Sequence, residues 1–103
     1  MKTVEYVLEL SDGEKMRVFF VKKHGKIQKF IVQYYARIGP KWRTVMRIDT
    51  CHGIPHQHIY HLRKREYWVL LNSARDFSFL FTWAITYIKD DFQKIKENFL
   101  YSK

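Results

Sequence analysis

The sequence predicts an α+β fold: an antiparallel meander of five or six strands with one long C-terminal helix packed on one face. Between residues 3 and 49, polar and apolar residues alternate, which is typical of strands with one buried face. Short turns separate these segments, so successive strands should be antiparallel neighbours. From residue 77 to about residue 100, apolar residues instead recur at spacings of three and four, as in a helix.

Length and composition indicate one folded domain over residues 1–103. Hydrophobic residues make up 47% of the chain, which is enough for a single core at this length. No apolar run approaches the ~20 residues that a membrane span needs, and the N-terminus lacks the pattern of a signal peptide. The single cysteine, Cys51, fits a reducing compartment. We therefore expect a cytoplasmic protein without a membrane partner.

The charge balance favours a polyanionic partner. Nineteen Lys and Arg residues against ten Asp and Glu residues give a net charge of +9. Such an excess on a small domain is typical of proteins that bind RNA or another nucleic acid. The alternative is a lysine-rich surface that is only solvated.

The first four predicted strands place basic side chains on one face of the sheet. Residues 3–10 and 15–22 flank an Asp12-Gly13 turn, and residues 27–38 and 42–49 form the next hairpin. In the fourth strand, Trp42, Thr44, Met46 and Ile48 should oppose Arg43, Val45, Arg47 and Asp49. With the basic turn that follows the histidine-rich segment, the predicted nucleic-acid-binding residues are Lys29, Tyr35, Arg37, Arg43, Arg47, Arg63, Lys64 and Arg65.

The C-terminal half is predicted to contain a short strand, a break and the helix. Residues 66–71 form the strand and residues 72–76 the break. The helical stripe that should face the sheet comprises Phe77, Phe81, Ala84, Ile88, Phe92, Ile95 and Phe99. A second stripe, Phe79, Trp83 and Tyr87, predicts an interface with a second copy or another protein. The alternative is that this half of the helix lies between the sheet and a loop.

Four of the five histidines fall between residues 52 and 61. Gly53 and Pro55 restrict the backbone path there, because glycine permits a sharp bend and proline extends the residue before it. If the chain is extended from His56 onward, His56, His58 and Tyr60 share one side. Cys51 is expected to be a small buried residue.

Three chemistries suit this segment. A pair of histidines, His56 and His58, provides a general base and a general acid for RNA cleavage, with Arg43 or Arg47 binding phosphate and Asp49 orienting an imidazole. A divalent metal is the second option, held by His56 and His58 with His52, Cys51 or Asp49; otherwise no cofactor is expected. The third is binding alone, in which His and Tyr stack on bases. Histidines that only form a structural polar network remain the alternative.

Residues 47–58, RIDTCHGIPHQH, resemble the R-x-D-x-(A)-H-G-x-P-H-x-H pattern of TumE-like toxin components and related small prokaryotic proteins. Residues 84–92, AITYIKDDF, are similar to the C-terminal helix of the same group. The resemblance implies a toxin of a two-gene toxin–antitoxin system with a neighbouring DNA-binding antitoxin. The motif positions carried over are Arg47, Asp49, His52, Gly53, Pro55, His56 and His58.

The resulting hypothesis is a toxin-like component of a toxin–antitoxin pair that acts on RNA as a histidine-dependent ribonuclease. Its predicted catalytic residues are His56, His58, Asp49 and Arg47. The alternative is a non-catalytic basic module that binds nucleic acid or an acidic antitoxin segment.

Overall fold

The structure is a computed structural model that describes residues 1–63, 65–71 and 77–101. It contains six strands, a short 3-10 helix and one α-helix. In chain order these are β1 (Lys2–Ser11), β2 (Glu14–Lys23), β3 (Lys26–Ile38), β4 (Lys41–Asp49), the 3-10 helix (Cys51–Gly53), β5 (His56–Ile59), β6 (Tyr67–Leu70) and α1 (Phe77–Tyr101).

The six strands form one antiparallel sheet in the order β1-β2-β3-β4-β5-β6. Every strand thus lies beside its neighbour in sequence, as the short turns predict. At the first turn, Gly13 has a φ of +76°, a conformation that favours glycine. The predicted meander with one long C-terminal helix is confirmed. The predicted break at residues 72–76 and the basic residue Lys64 lie outside the described residues.

The core lies between α1 and the face of the sheet formed by alternate residues of β2, β3 and β4. Phe30, Val32 and Tyr34 of β3 are buried there. The predicted helical stripe is confirmed: Ala84, Ile88, Ile95 and Phe99 are buried, and Phe77, Phe81 and Phe92 pack against them. The opposite side of the sheet, which α1 does not cover, is called the open face below.

A β-bulge in β4 corrects the predicted alternation of that strand. Tyr34 pairs with Met46, but the next residue of β3, Tyr35, pairs with Thr44, so Val45 is an extra residue. Beyond the bulge, Arg43 therefore pairs with Ala36, a core residue, while Arg47 pairs with Gln33. The prediction that Arg43, Val45, Arg47 and Asp49 alternate regularly on one face was wrong, because a bulge shifts the phase of a strand.

A buried polar cluster joins the sheet to the helix. The Tyr34 hydroxyl donates a hydrogen bond of 2.6 Å to Glu14 Oε2, and Lys96 Nζ of α1 lies 2.7 Å from Glu14 Oε1. Burial, reinforced by the Glu14 carboxylate, raises the pKa of Tyr34 far above its ordinary value. The phenol therefore stays protonated and keeps donating to Glu14.

In the part of the chain that the structure describes, no helix combines the length and the apolar character needed to cross a membrane.

Candidate functional site

The histidine-rich segment is attached to the sheet at both ends. Thr50 exchanges backbone and side-chain hydrogen bonds with Phe30 of β3, including a 3.0 Å bond from the Phe30 N–H to Thr50 Oγ1. Gly53 then ends the 3-10 helix with a φ of +80°, a value that a larger side chain tolerates poorly. Pro55 is buried, and β5 returns along β4 so that Asp49 pairs with His56 and Arg47 with His58.

Asp49 is the centre of the site and is completely buried, although it lies on the open face. Its Oδ2 atom lies 2.6 Å from Arg47 Nε and 3.2 Å from His58 Nε2. The Arg47 N–H does not point along its contact, so this is an ion pair rather than a directed hydrogen bond. Asp49 Oδ1 accepts a 3.0 Å hydrogen bond from the Cys51 backbone N–H. One carboxylate thus ties together two strands and the turn between them.

The His58 side chain is almost completely buried among its neighbours. Besides the Asp49 contact at Nε2, its Nδ1 atom lies 3.5 Å from Glu66 Oε2. Its ring packs on Trp68 of β6, with centroids 4.7 Å apart, and stacks on Tyr60 at 6.3 Å. Only 6% of the side chain is exposed, and both ring nitrogens face carboxylates. This imidazole is therefore held in place rather than presented to a ligand.

His56 is arranged differently and presents one nitrogen outward. Its Nδ1 atom lies 2.7 Å from the carbonyl oxygen of Ile54. Because a carbonyl only accepts, Nδ1 carries the proton in this contact, and among the described residues none binds the lone pair of Nε2. The ring is half-buried, 6.3 Å from the His58 ring and 5.3 Å from Trp68. Predicted His56 and His58 thus come together on one side, but in unequal surroundings.

Cys51 is exposed, which corrects the expectation that it is buried. It begins the 3-10 helix two residues after Asp49 instead of lying in a strand, so the core does not enclose it. Partial desolvation and then the Asp49 carboxylate raise the pKa of the thiol, and the cations of Arg47 and Lys29 act in the opposite direction. The thiol is therefore mostly protonated at neutral pH.

The predicted nucleic-acid-binding residues are spread more widely than the histidines. Lys29, Arg37, Arg43, Arg63 and Arg65 are exposed, and Lys64 lies outside the described residues. Tyr35 is half-buried with its ring against Trp42. Among these residues, Arg47 is the one that the structure places in contact with Asp49 and His58.

Sequence reasoning did not assign four residues of the open face to a site: Glu66, Trp68, Gln33 and Arg17. Glu66 and Trp68 contact His58, but their position depends on the register of β5 with β6, where His58 pairs with Trp68. Gln33 accepts a hydrogen bond from Arg17, and Arg17 also forms a 2.9 Å ion pair with Glu5. The alternation of β2 and β3 was the signal that could have placed Arg17 beside Gln33.

The metal alternative rests partly on a side chain that the structure does not describe, that of His52. Among the described residues, no three His, Cys, Asp or Glu side chains are grouped so that they could hold a metal ion.

The predicted partner stripe on α1 is partly open to solvent. Phe79 is 60% exposed and Trp83 is 37% exposed, whereas Tyr87 is half-buried with its ring stacked on Trp83 at 5.2 Å. Burial raises the pKa of Tyr87. These side chains leave apolar surface on the helix side of the molecule.

Comparison with known proteins identifies a family for this chain but does not indicate its function. Neither the curated proteins nor the solved structures contain a match to this chain, so the resemblance to TumE-like toxins stays a prediction. One family model matches residues 1–103, and the chain therefore belongs to the family described as a domain of unknown function, DUF7718.

Proposed function

We propose that this protein acts on RNA at the open face of its sheet, with His56 as the acid–base group of a ribonuclease. The observation that carries the proposal is the state of His56: Nδ1 is bound to the Ile54 carbonyl, and no described residue binds Nε2, beside a buried Arg–Asp–His cluster. An imidazole with one nitrogen fixed and the other free is the arrangement that proton transfer at neutral pH requires.

In the proposed reaction, Nε2 of His56 takes the proton of a ribose 2′-hydroxyl. The 2′-oxygen attacks the adjacent phosphorus, the bond to the 5′-oxygen breaks, and the departing oxygen takes a proton from the imidazolium or from water. A 2′,3′-cyclic phosphate and a 5′-hydroxyl result. The Arg47 guanidinium, one-third exposed, has N–H groups that Asp49 does not use and that can stabilise the charge on phosphate.

In this proposal, His58 and Asp49 are positioning residues. Asp49 fixes Arg47 and His58 together, and His58 supports the β5 backbone from which His56 projects. The sequence hypothesis used one histidine as general base and the other as general acid. His58 takes neither role in this proposal, because both of its ring nitrogens already face carboxylates.

The resemblance to TumE-like toxins supports a toxin-like role and a cytoplasmic location, where RNA is the available substrate. An antitoxin would then be the partner. Its apolar groups would contact Phe79, Trp83 and Tyr87, and its acidic groups would bind the basic open face. A second copy of this chain is the alternative occupant of the helix stripe.

The test is cleavage of a defined RNA by purified wild-type protein and by His56→Ala. His24→Asn is the matched control, since His24 is an exposed histidine in the turn after β2 and its φ of +53° is tolerated by asparagine. We expect His56→Ala to lose at least about 100-fold in rate with RNA affinity retained, and the control to keep its rate. Equal rates in all three proteins would overturn the assignment of His56.

Binding without cleavage is the second candidate, and the enclosure of His58 favours it, because of the pair His56 and His58 only His56 is then open to a substrate. In that case no variant cleaves RNA. Replacing Arg47 or Arg43 by alanine would weaken RNA binding and flatten its dependence on salt. Growth arrest on induction of wild-type protein, relieved in equally abundant His56→Ala, would separate a catalytic toxin from a binding module.

A further inference from the structure

A cavity of about 260 Å³ lies on the open face, away from the histidines. It is lined by Arg17, Gln33, Tyr35, Trp42, Arg43 and Thr44. Tyr35, Trp42, Gln33 and Arg17 bring two aromatic rings, an amide and a guanidinium group to this part of the open face, whereas Arg43 pairs with the core residue Ala36. Because the β4 bulge displaces the strand here, Thr44 pairs with Tyr35 and Trp42 with Arg37, on the side of the sheet opposite the core.

The indole of Trp42 is fixed in orientation but remains accessible. Lys15 Nζ lies 4.8 Å from the centroid of the ring, and the Tyr35 ring meets it nearly edge-on with centroids 5.6 Å apart. Even so, 43% of Trp42 is exposed. A fixed, exposed indole beside cations is the usual platform on which proteins stack single-stranded bases.

The Gln33 amide is held by two neighbours and can still donate one hydrogen bond to a ligand and accept one from it. Its Oε1 accepts a 3.2 Å hydrogen bond from Arg17 Nε, and its Nε2 donates a 2.6 Å hydrogen bond to Thr44 Oγ1. An amide oxygen has a second lone pair and the amide nitrogen a second hydrogen. One acceptor position and one donor position therefore remain, and an amide pairs with the edge of a base through one of each.

Arg17 adds positive charge to the site. It uses one terminal nitrogen for Glu5 and its Nε for Gln33, which leaves N–H groups on the guanidinium. A phosphate next to a base stacked on Trp42 would meet this cation.

His56 is not among the residues that line this cavity. Across the sheet, His56 of β5 pairs with Asp49 of β4, and Asp49 pairs with Ile31 of β3, two residues before Gln33. Strand geometry then separates the backbones of His56 and Gln33 by roughly 12 Å. We propose that the cavity is a nucleotide subsite, in which a base stacks on Trp42 and pairs with Gln33 while Arg17 binds its phosphate. The inference rests on the proposed action on RNA. It adds a second site at which the protein contacts the RNA molecule that His56 would cleave.

The subsite is tested first with adenosine monophosphate, so that the result does not depend on cleavage. The indole N–H signals of the three tryptophans are followed by NMR during a titration. We expect the Trp42 signal to move with saturation, and ribose 5-phosphate, which lacks a base, to move it at least about fivefold less at equal concentration. A Trp42 signal unmoved by adenosine monophosphate would overturn the subsite, whatever the RNA assays show.

The second test compares the affinity of an oligoribonucleotide for Trp42→Ala, Gln33→Ala and the control Tyr101→Ala. Tyr101 is an exposed aromatic residue at the end of α1, so its loss should leave affinity unchanged. We expect Trp42→Ala to weaken binding at least about fivefold and Trp42→Phe, which keeps a ring, to weaken it less. Thermal melting of each variant checks the fold. Equal affinity of folded Trp42→Ala and wild type would overturn the subsite, whereas loss of cleavage in His56→Ala reports only on the proposed catalytic role.

Discussion

Asp49 Oδ2 lies 3.2 Å from His58 Nε2, and both side chains are almost entirely enclosed. The same oxygen lies 2.6 Å from Arg47 Nε. A buried carboxylate is stable only when opposite charge and hydrogen bonds offset the loss of water. The cluster therefore supports the fold as well as the site, and variants within it must be judged on stability before activity.

Asp49→Ala should strongly destabilise the protein. It leaves Arg47 without its ion pair, His58 without its Nε2 partner and the Cys51 N–H without its acceptor. We expect a loss of about 2–4 kcal/mol in the free energy of unfolding, below the cost of a fully buried pair because Arg47 still reaches water. Urea denaturation measures it. Asp90→Ala, at an exposed acidic residue of α1, is the matched control and should change stability by less than about 0.5 kcal/mol.

The two neighbouring histidines should differ in their effect on stability. His58→Ala removes a buried ring that packs on Trp68 and Tyr60, so we expect a cost of about 1–3 kcal/mol. His56→Ala removes a half-buried ring with one local hydrogen bond, for which less than about 1 kcal/mol is expected. Equal losses in urea denaturation would contradict the unequal surroundings described for the two rings. Activity lost in His56→Ala is therefore the more informative result.

Alkaline pH should destabilise the protein partly through Tyr34. Burial and the Glu14 carboxylate raise the pKa of Tyr34 well above the ordinary 10.0. Above about pH 10, the unfolded chain therefore loses this proton while the folded chain keeps it, and stability falls as pH rises. Melting temperatures across this pH range should decline less steeply in Tyr34→Phe.

Some decline should persist in Tyr34→Phe, because burial also raises the pKa of Tyr60 and of Tyr87. At neutral pH the same variant should lose about 1–2 kcal/mol, since Glu14 loses a hydrogen-bond donor. An unchanged alkaline slope would show that the Tyr34 phenol does not govern this transition.

The Cys51 thiol should react slowly at neutral pH despite its exposure. Partial desolvation and Asp49 raise its pKa above the ordinary 9.0, so less of the reactive thiolate is present. The pH profile of alkylation by iodoacetamide should have a midpoint above that of the urea-unfolded chain. Arg47→Ala removes a cation that lowers the pKa and should move the midpoint further up, provided that the variant is folded. A midpoint equal to that of the unfolded chain would contradict this prediction.

The strand order could be predicted from sequence because every connection is local. Turn residues and alternation define each hairpin without information from distant parts of the chain, and the helical stripe from Phe77 to Phe99 identifies its own buried face. Alternation failed in β4, where Val45 is the extra residue of a bulge. Nothing in the local sequence marks that bulge, since Thr44, Val45 and Met46 are all acceptable strand residues.

The candidate site was only partly predictable for a related reason. The spacing of His56 and His58 places both on one side of β5, and ring contact between them agrees with that. The difference between them depends on Trp68 and Glu66, which meet His58 through the register of another strand. Asp49 is likewise buried among residues of β4, β5 and the 3-10 helix. The residue pattern of one strand could not indicate this burial.

The meander order also affects how the chain acquires its structure during synthesis. The strands can form hairpins in turn as they emerge, because each contacts the strand just made. Helix α1 follows all six strands, so the apolar residues of β2, β3 and β4 that it covers stay exposed until this helix leaves the ribosome. Translation slowed within the helix would therefore lengthen the period in which the partly made protein aggregates or needs a chaperone.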